Sequence, residues 1–132
     1  MALTETPRAL RIDPETLETL GPFEWTDGLE CQVTTAHPHY DAARRLIYNF
    51  EIVFGRKTLY RFTRMSLGSH SRSAVAEIET SEPAYTPSFA MCERYLILAE
   101  CPLVTKPLRL LFSGRPFIET YRWSPPGVCA SP

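Results

Sequence analysis

The chain has 132 residues, with 14 Lys and Arg against 15 Asp and Glu, for a net charge of −1. That length favours a single domain, and a charge so close to zero supplies no global field for steering onto nucleic acid or anionic lipid. At 44% hydrophobic and 22% charged residues the composition is that of a folded protein rather than a disordered one.

No uncharged apolar run approaches the ~18 residues that a membrane-spanning helix needs. Met1-Ala2-Leu3-Thr4-Glu5 lacks the basic start of a secretion signal. Neither a transmembrane helix nor a signal peptide is expected, and the setting is read as cytoplasmic. The four cysteines, Cys31, Cys92, Cys101 and Cys129, include no C-x-x-C pair and read as free thiols of a reducing compartment. Twelve prolines stand against six glycines, which favours short strands and loops over long helices.

In chain order, residues 10–20 read as a strand end, a turn opened by Asp13-Pro14 and a short return, with a short helix from Pro14 to Leu20 as the alternative. Arg45 to Phe54 alternates: Leu46, Tyr48, Phe50, Ile52 and Phe54 face one way, Asn49 and Glu51 the other. Gly55-Arg56-Lys57 is a turn, and Thr58 to Arg64 alternates again through Tyr60 and Phe62, so the pair predicts a β-hairpin. Ala74 to Glu79 predicts a third strand. Tyr95 to Glu100 is a continuous apolar run, which predicts a central strand buried on both faces. Short strands with turn signals at this spacing indicate an all-β architecture.

Residues 106–123 differ. Leu108, Leu111 and Phe112 fall on one helical face, with Lys106, Arg109 and Arg115 around it. A short helix packed on the sheet and an interfacial segment that dips into lipid both fit this pattern. Residues 125–132 carry no pattern and predict a disordered tail after a folded unit of residues 1–124.

The histidines are His37, His39 and His70. His37-Pro38-His39 is an H-x-H element whose alternation puts both rings on one side of an extended chain. Alone it is a weak metal signal. His70 lies in a polar loop and reads as solvated. No G-x-S-x-G elbow, P-loop or G-x-G-x-x-G is present. Tyr60-Arg61-Phe62 and Tyr121-Arg122-Trp123 could stack bases, but the neutral charge makes them read as sheet residues with arginines whose stems lie along the surface. No nucleic-acid partner is expected.

A resemblance takes the reading further. Thr35-Ala36-His37-Pro38-His39-Tyr40-Asp41 resembles the Ala-His-Pro element of the carotenoid cleavage oxygenases. Ile12-Asp13-Pro14-Glu15-Thr16-Leu17-Glu18-Thr19 is similar to that family's turn between blades. Pro83-Ala84-Tyr85, Ser88-Phe89-Ala90-Met91 and Glu93 through Leu103 resemble its His-Ser-Phe and following strand motifs. The resemblance covers about residues 3–124.

It implies a seven-bladed β-propeller, of which this chain supplies roughly two blades. It also implies Fe(II) on the axis, held by four histidines and steadied by outer glutamates. The implied reaction is cleavage of a conjugated double bond of a lipophilic, carotenoid-like substrate by O₂ to two carbonyls. Carried over residue by residue, His37 matches the first iron ligand and Glu5 matches an outer glutamate that orients a ligand histidine. His39 matches no ligand.

At the second ligand position, before Ser88-Phe89, the family has histidine and this chain has Pro87. The remaining ligands are expected beyond residue 132. The chain is therefore read as a fragment that binds no iron alone and is inactive alone, with Leu108, Leu111 and Phe112 as a peripheral membrane contact. The alternative is a non-catalytic β-sheet binding module or pseudoenzyme remnant.

Overall fold

The computed structural model describes residues 1–112, 114 and 116–124, with only the backbone of Leu110, Leu111 and Phe117. The expected tail at 125–132, Cys129 and Arg115 lie outside the described residues.

The chain opens on a hairpin of β1 (Leu10–Ile12) and β2 (Thr19–Pro22), paired antiparallel. Asp13 closes it: its Oδ1 accepts the amides of Glu15 at 2.8 Å and Thr16 at 3.0 Å. A carboxylate that caps its own turn in this way competes with helix formation. The hairpin reading of residues 10–20 holds, and the helical alternative does not form.

The main sheet follows. It holds β3 (Val33–Thr34), β4 (His39–Asp41), β5 (Leu46–Val53), β6 (Thr58–Ser66) and β7 (Ser73–Thr80). All pairings are antiparallel. β3 and β4 lie end to end along one side of β5, β6 lies along the other, and β7 pairs β6 at the open edge. The β5–β6 register runs unbroken from Leu46↔Ser66 to Val53↔Leu59. Alternating aromatic and β-branched residues drive both strands, because such side chains pack well on a pleated surface.

One face of this sheet is the core: Phe50, Ile52, Tyr60 and Phe62, joined by Phe89 from a later segment. Ring centroids lie 5.5 Å apart for Phe50–Tyr60, 5.3 Å for Phe50–Phe62 and 5.4 Å for Phe62–Phe89, tilted contacts that aromatic quadrupoles favour. The opposite face is covered too, so Glu51 is buried rather than turned to water.

The run Tyr95 to Glu100 is not a central strand. Only β9 (Leu96–Ile97) forms, paired with β8 (Ala90–Met91) in a sheet of two strands. Leu96 and Leu98 pack on the core while Tyr95 and Ile97 are exposed. The run therefore alternates, and one face suffices to account for it. β10 (Leu103–Val104) pairs β11 (Arg122–Trp123) in another two-stranded sheet.

Between them lie α1 (Pro107–Phe112) and a 3₁₀ turn (Phe117–Thr120). The helix expected near the C-terminus is present. It leaves Leu108 and Phe112 69% and 83% exposed, whereas the Leu111 side chain lies outside the described residues. Among the described residues the architecture is β apart from these two turns of helix, and no helix is long and apolar enough to cross a membrane.

Phe50→Ala is expected to destabilise the chain by about 3–5 kcal/mol, the range for emptying an aromatic core site. Val75→Thr on the exposed strand β7 should stay within about 0.5 kcal/mol. Urea unfolding followed by tryptophan fluorescence separates the two.

Candidate functional site

Three segments meet beside the middle of β5, at the gap between β3 and β4: the amino-terminal stretch with Glu5, the β3–β4 loop with His37, and residues 83–89 with Pro87. The backbone ties Glu5 first, since its carbonyl accepts the Thr34 amide at 3.1 Å. Its carboxylate Oε1 accepts the Tyr85 hydroxyl at 2.8 Å. The Tyr85 ring meets the Tyr121 ring edge-on at 5.8 Å. The hydrogen bond to Glu5, then burial, raises the Tyr85 phenol above its ordinary value. Burial, then the charge of Glu5, does the same for Tyr121.

Thr35 is the knot. Its hydroxyl donates to the Pro87 carbonyl and accepts the His37 amide at 3.0 Å. Its own amide donates to the Phe50 carbonyl at 2.9 Å. Its carbonyl accepts Asn49 Nδ2 at 3.2 Å, and the same amide group reaches Thr34 Oγ1 at 3.1 Å. The Thr35 side chain is fully buried. One hydroxyl thus positions residues 37 and 87 together, a role that no pattern in the one-dimensional sequence announced.

The two histidines of the H-x-H element part company. His37 is exposed in the loop. His39 Nε2 lies 2.7 Å from the Phe89 carbonyl and its ring meets the Phe89 ring edge-on at 4.5 Å. His39 thus packs residues 83–89 against β4. His70 is exposed but not merely solvated, because its ring lies 4.3 Å from Phe23 and Nδ1 is 3.1 Å from the Glu24 carbonyl.

The donor set does not fit an iron held by several imidazoles. It offers one exposed imidazole at His37, one carboxylate already bonded to a phenol at Glu5, and a proline at residue 87, which has neither an imidazole nor an amide proton to offer. Among the described residues no three of His, Cys, Asp and Glu are grouped to hold a metal ion. Cys92 and Cys101 are exposed, while burial and then the charge of Glu51 push the Cys31 thiol up to about 11, which keeps it protonated and unreactive at neutral pH.

A second polar cluster, on the other face of β5, was not foreseen. Glu51 Oε1 accepts Arg72 Nη1 at 2.7 Å. Arg72 also grips Asp27 through Nε at 3.0 Å and Nη2 at 2.8 Å, and its guanidinium stacks 4.2 Å from the Trp25 ring centroid. Glu51 Oε2 has no hydrogen-bond partner among the described residues, with Arg61 Nη1 at 3.7 Å. Burial dominates at Glu51 and raises its carboxyl despite the two arginines. At Asp27 burial also pushes upward, but hydrogen bonds from Arg72 and Leu29 and the guanidinium charge outweigh it and hold the carboxyl at about 2. The clamp pins the segment 25–29 and the β6–β7 connection to the sheet.

Comparison with known proteins completes the description. The family profile described as retinal pigment epithelial membrane protein matches residues 1–128. Carotenoid cleavage dioxygenase 8 homolog A, chloroplastic, of Oryza sativa subsp. japonica is 33% identical over 129 residues, covering 95% of this chain and 23% of that protein. Carotenoid cleavage dioxygenase 8, chloroplastic, of Arabidopsis thaliana is 32% identical, covering 95% and 22%. The mitochondrial carotenoid-cleaving dioxygenase of Pongo abelii is 31% identical, covering 92% and 24%. The chain thus spans about a quarter of the length of these relatives or slightly less.

The pH dependence of stability follows from the clamp. Asp27 binds its proton more weakly folded than unfolded, so its contribution is complete above the ordinary 3.8 and is lost as pH falls toward about 2. Glu51 has the opposite sign, and its ionisation on the folded chain costs stability as pH rises through its raised range. Asp27→Asn should flatten the acid limb of stability between pH 3.8 and about 2, as measured by urea midpoints across pH. Arg72→Met should destabilise by about 3–5 kcal/mol at neutral pH, since it strands two buried carboxylates.

Proposed function

This chain belongs to the retinal pigment epithelial membrane protein family, and we propose that it is a portion of a carotenoid or apocarotenoid cleavage dioxygenase. The whole protein would cleave one conjugated C=C bond with O₂, each carbon taking one oxygen atom to give two carbonyl products. The five-stranded sheet reads as one blade of a propeller, and the flanking two-stranded pieces as parts of its neighbours. A propeller blade buries its faces against adjacent blades, which accounts for a β7 whose residues are almost all exposed.

The observation that carries the reading is the meeting of His37 and residue 87 on Thr35, with Glu5 tied beside them through Thr34 and Tyr85. These are the positions that the family resemblance assigns to an outer glutamate and two ligand histidines. His37 is this chain's candidate ligand for Fe(II), and Glu5 is its candidate orienting carboxylate. Because Pro87 breaks the set, the chain alone is read as inactive and iron-free, and no step of the chemistry is assigned to it. That same proline favours a second reading, a non-catalytic β-sheet binding module or pseudoenzyme remnant built on the same fold.

The exposed Leu108 and Phe112 on α1 support a peripheral contact with a lipid surface, the natural source of a lipophilic substrate. The relatives named above are chloroplastic or mitochondrial by name, which favours an organelle over the cytoplasmic setting expected from the amino-terminal residues.

A chimera tests the reading. Residues 1–124 replace the matching segment of the rice relative, and carotenoid cleavage is measured by product chromatography. No cleavage with Pro87 and restored cleavage with Pro87→His are expected. Cleavage by the unmodified chimera would overturn the inactivity. Its absence with Pro87→His, in a folded protein, would overturn the oxygenase reading and leave the binding module.

A further inference from the structure

The strap of residues 1–9 crosses the face of the main sheet opposite the aromatic core and roofs a pocket of about 30 Å³ there. We propose that this pocket is a binding site for internal water, with about two molecules bridging the Glu51 carboxylate and the Thr63 hydroxyl as fixed parts of the fold.

The pocket is built by the strand register. Ile47 lies opposite Met65, Asn49 opposite Thr63 and Glu51 opposite Arg61, so these side chains share one face. Ile47, Glu51, Thr63 and Met65 form the floor, Trp25 stands at the side, and Leu3 and Ala9 are the roof. The roof is fastened by backbone bonds. Ala2 bridges Leu10, the Glu5 carbonyl accepts the Thr34 amide at 3.1 Å, and the Ala9 carbonyl accepts the Phe23 amide at 2.8 Å.

The floor carries a demand that the chain itself leaves unmet. Glu51 is 1% exposed and gives Oε1 to Arg72, but Oε2 accepts no hydrogen bond among the described residues. Both nearby guanidinium groups are committed elsewhere. Arg61 Nη1, 3.7 Å from Oε2, donates to the Glu30 carbonyl at 3.1 Å, and its Nε donates to Glu77 at 2.7 Å. Arg72 spends Nε and Nη2 on Asp27 and the Leu29 carbonyl. A buried carboxylate oxygen without a donor is costly, so the donor comes from outside the chain. Thr63 is equally buried, and its hydroxyl makes no hydrogen bond among the described residues. It sits diagonally across the ladder from Glu51, a spacing that one small molecule can bridge.

Size and charge select the ligand. A water takes roughly 10–15 Å³ of such space and at least two polar partners, so the pocket seats about two and excludes anything much larger. An added cation would meet the Arg72 and Arg61 guanidinium groups. An added anion would meet the Glu51 and Asp27 carboxylates. A small neutral donor suits both signs, and water is that donor.

Two measurements on the full chain test the proposal. Oxygen-17 relaxation dispersion counts waters held longer than molecular tumbling. Xenon, read through methyl shifts, enters cavities that are dry and apolar. The unaltered chain is expected to show no xenon shift at Ile47 or Met65. Glu51→Leu removes the acceptor and leaves Arg72 its Asp27 partner, and it should lose the dispersion of about two waters. Thr63→Val, nearly the same shape, should lose that of about one.

Xenon entry in the unaltered chain would overturn the proposal. So would a dispersion amplitude that a folded Glu51→Leu chain leaves unchanged. Should Glu51→Leu not fold, Thr63→Val decides: a lost water supports the site, and an unchanged amplitude overturns it.

Discussion

Burial of both faces of β5 is the constraint on which the rest of the structure depends. One face sends Phe50 and Ile52 into the aromatic core; the other turns Glu51 inward with them. A carboxylate that deep in protein is tolerable only if it is paired. The pairing recruits Arg72, and Arg72 recruits Asp27 and Trp25. A single residue facing the wrong way for an amphipathic strand thereby organises two connecting loops.

The same strand builds the candidate site. Asn49 reaches across to Thr34 and Thr35, and the Phe50 carbonyl takes the Thr35 amide. With its backbone fixed on both sides, Thr35 has its hydroxyl left for His37 and Pro87. Glu5 arrives through Thr34 and Tyr85. The site is anchored as an extension of the sheet edge, by hydrogen bonds to β5 through Thr35. Positions held by a packed strand are set more precisely than positions on a free loop.

Much of this was legible in the chain. Alternation through Leu46, Tyr48, Phe50 and Ile52 and through Tyr60 and Phe62 marks the central hairpin, because a half-buried strand repeats every two residues. Asp13-Pro14 marks the first hairpin because the Asp13 carboxylate caps its own turn. The collinear motifs around His37 and Ser88-Phe89 mark the family.

What was not legible is tertiary. Tyr95 to Glu100 looks like a two-sided strand because an apolar run carries no record of which faces are covered. Glu51 looks like a solvent residue because its partner lies 21 positions away at Arg72. Thr35 is invisible as a site residue because threonine is ordinary in a strand, and only its contact with Pro87, 52 positions on, makes it special. The proline at residue 87 was noticed only against the family resemblance, which expects histidine there.

Residue-resolved amide hydrogen exchange on the full chain tests most directly whether β5 carries the site. The Thr35 amide donates to Phe50 and the Tyr85 amide to Leu103. Both are predicted to exchange as slowly as the central amides of β5 and β6, opening only with global unfolding. Fast, loop-like exchange at Thr35 beside a protected β5 would contradict the account, because the centre of the site would then be free of the strand said to hold it; fast exchange at Tyr85 would likewise free residues 83–89 from β10.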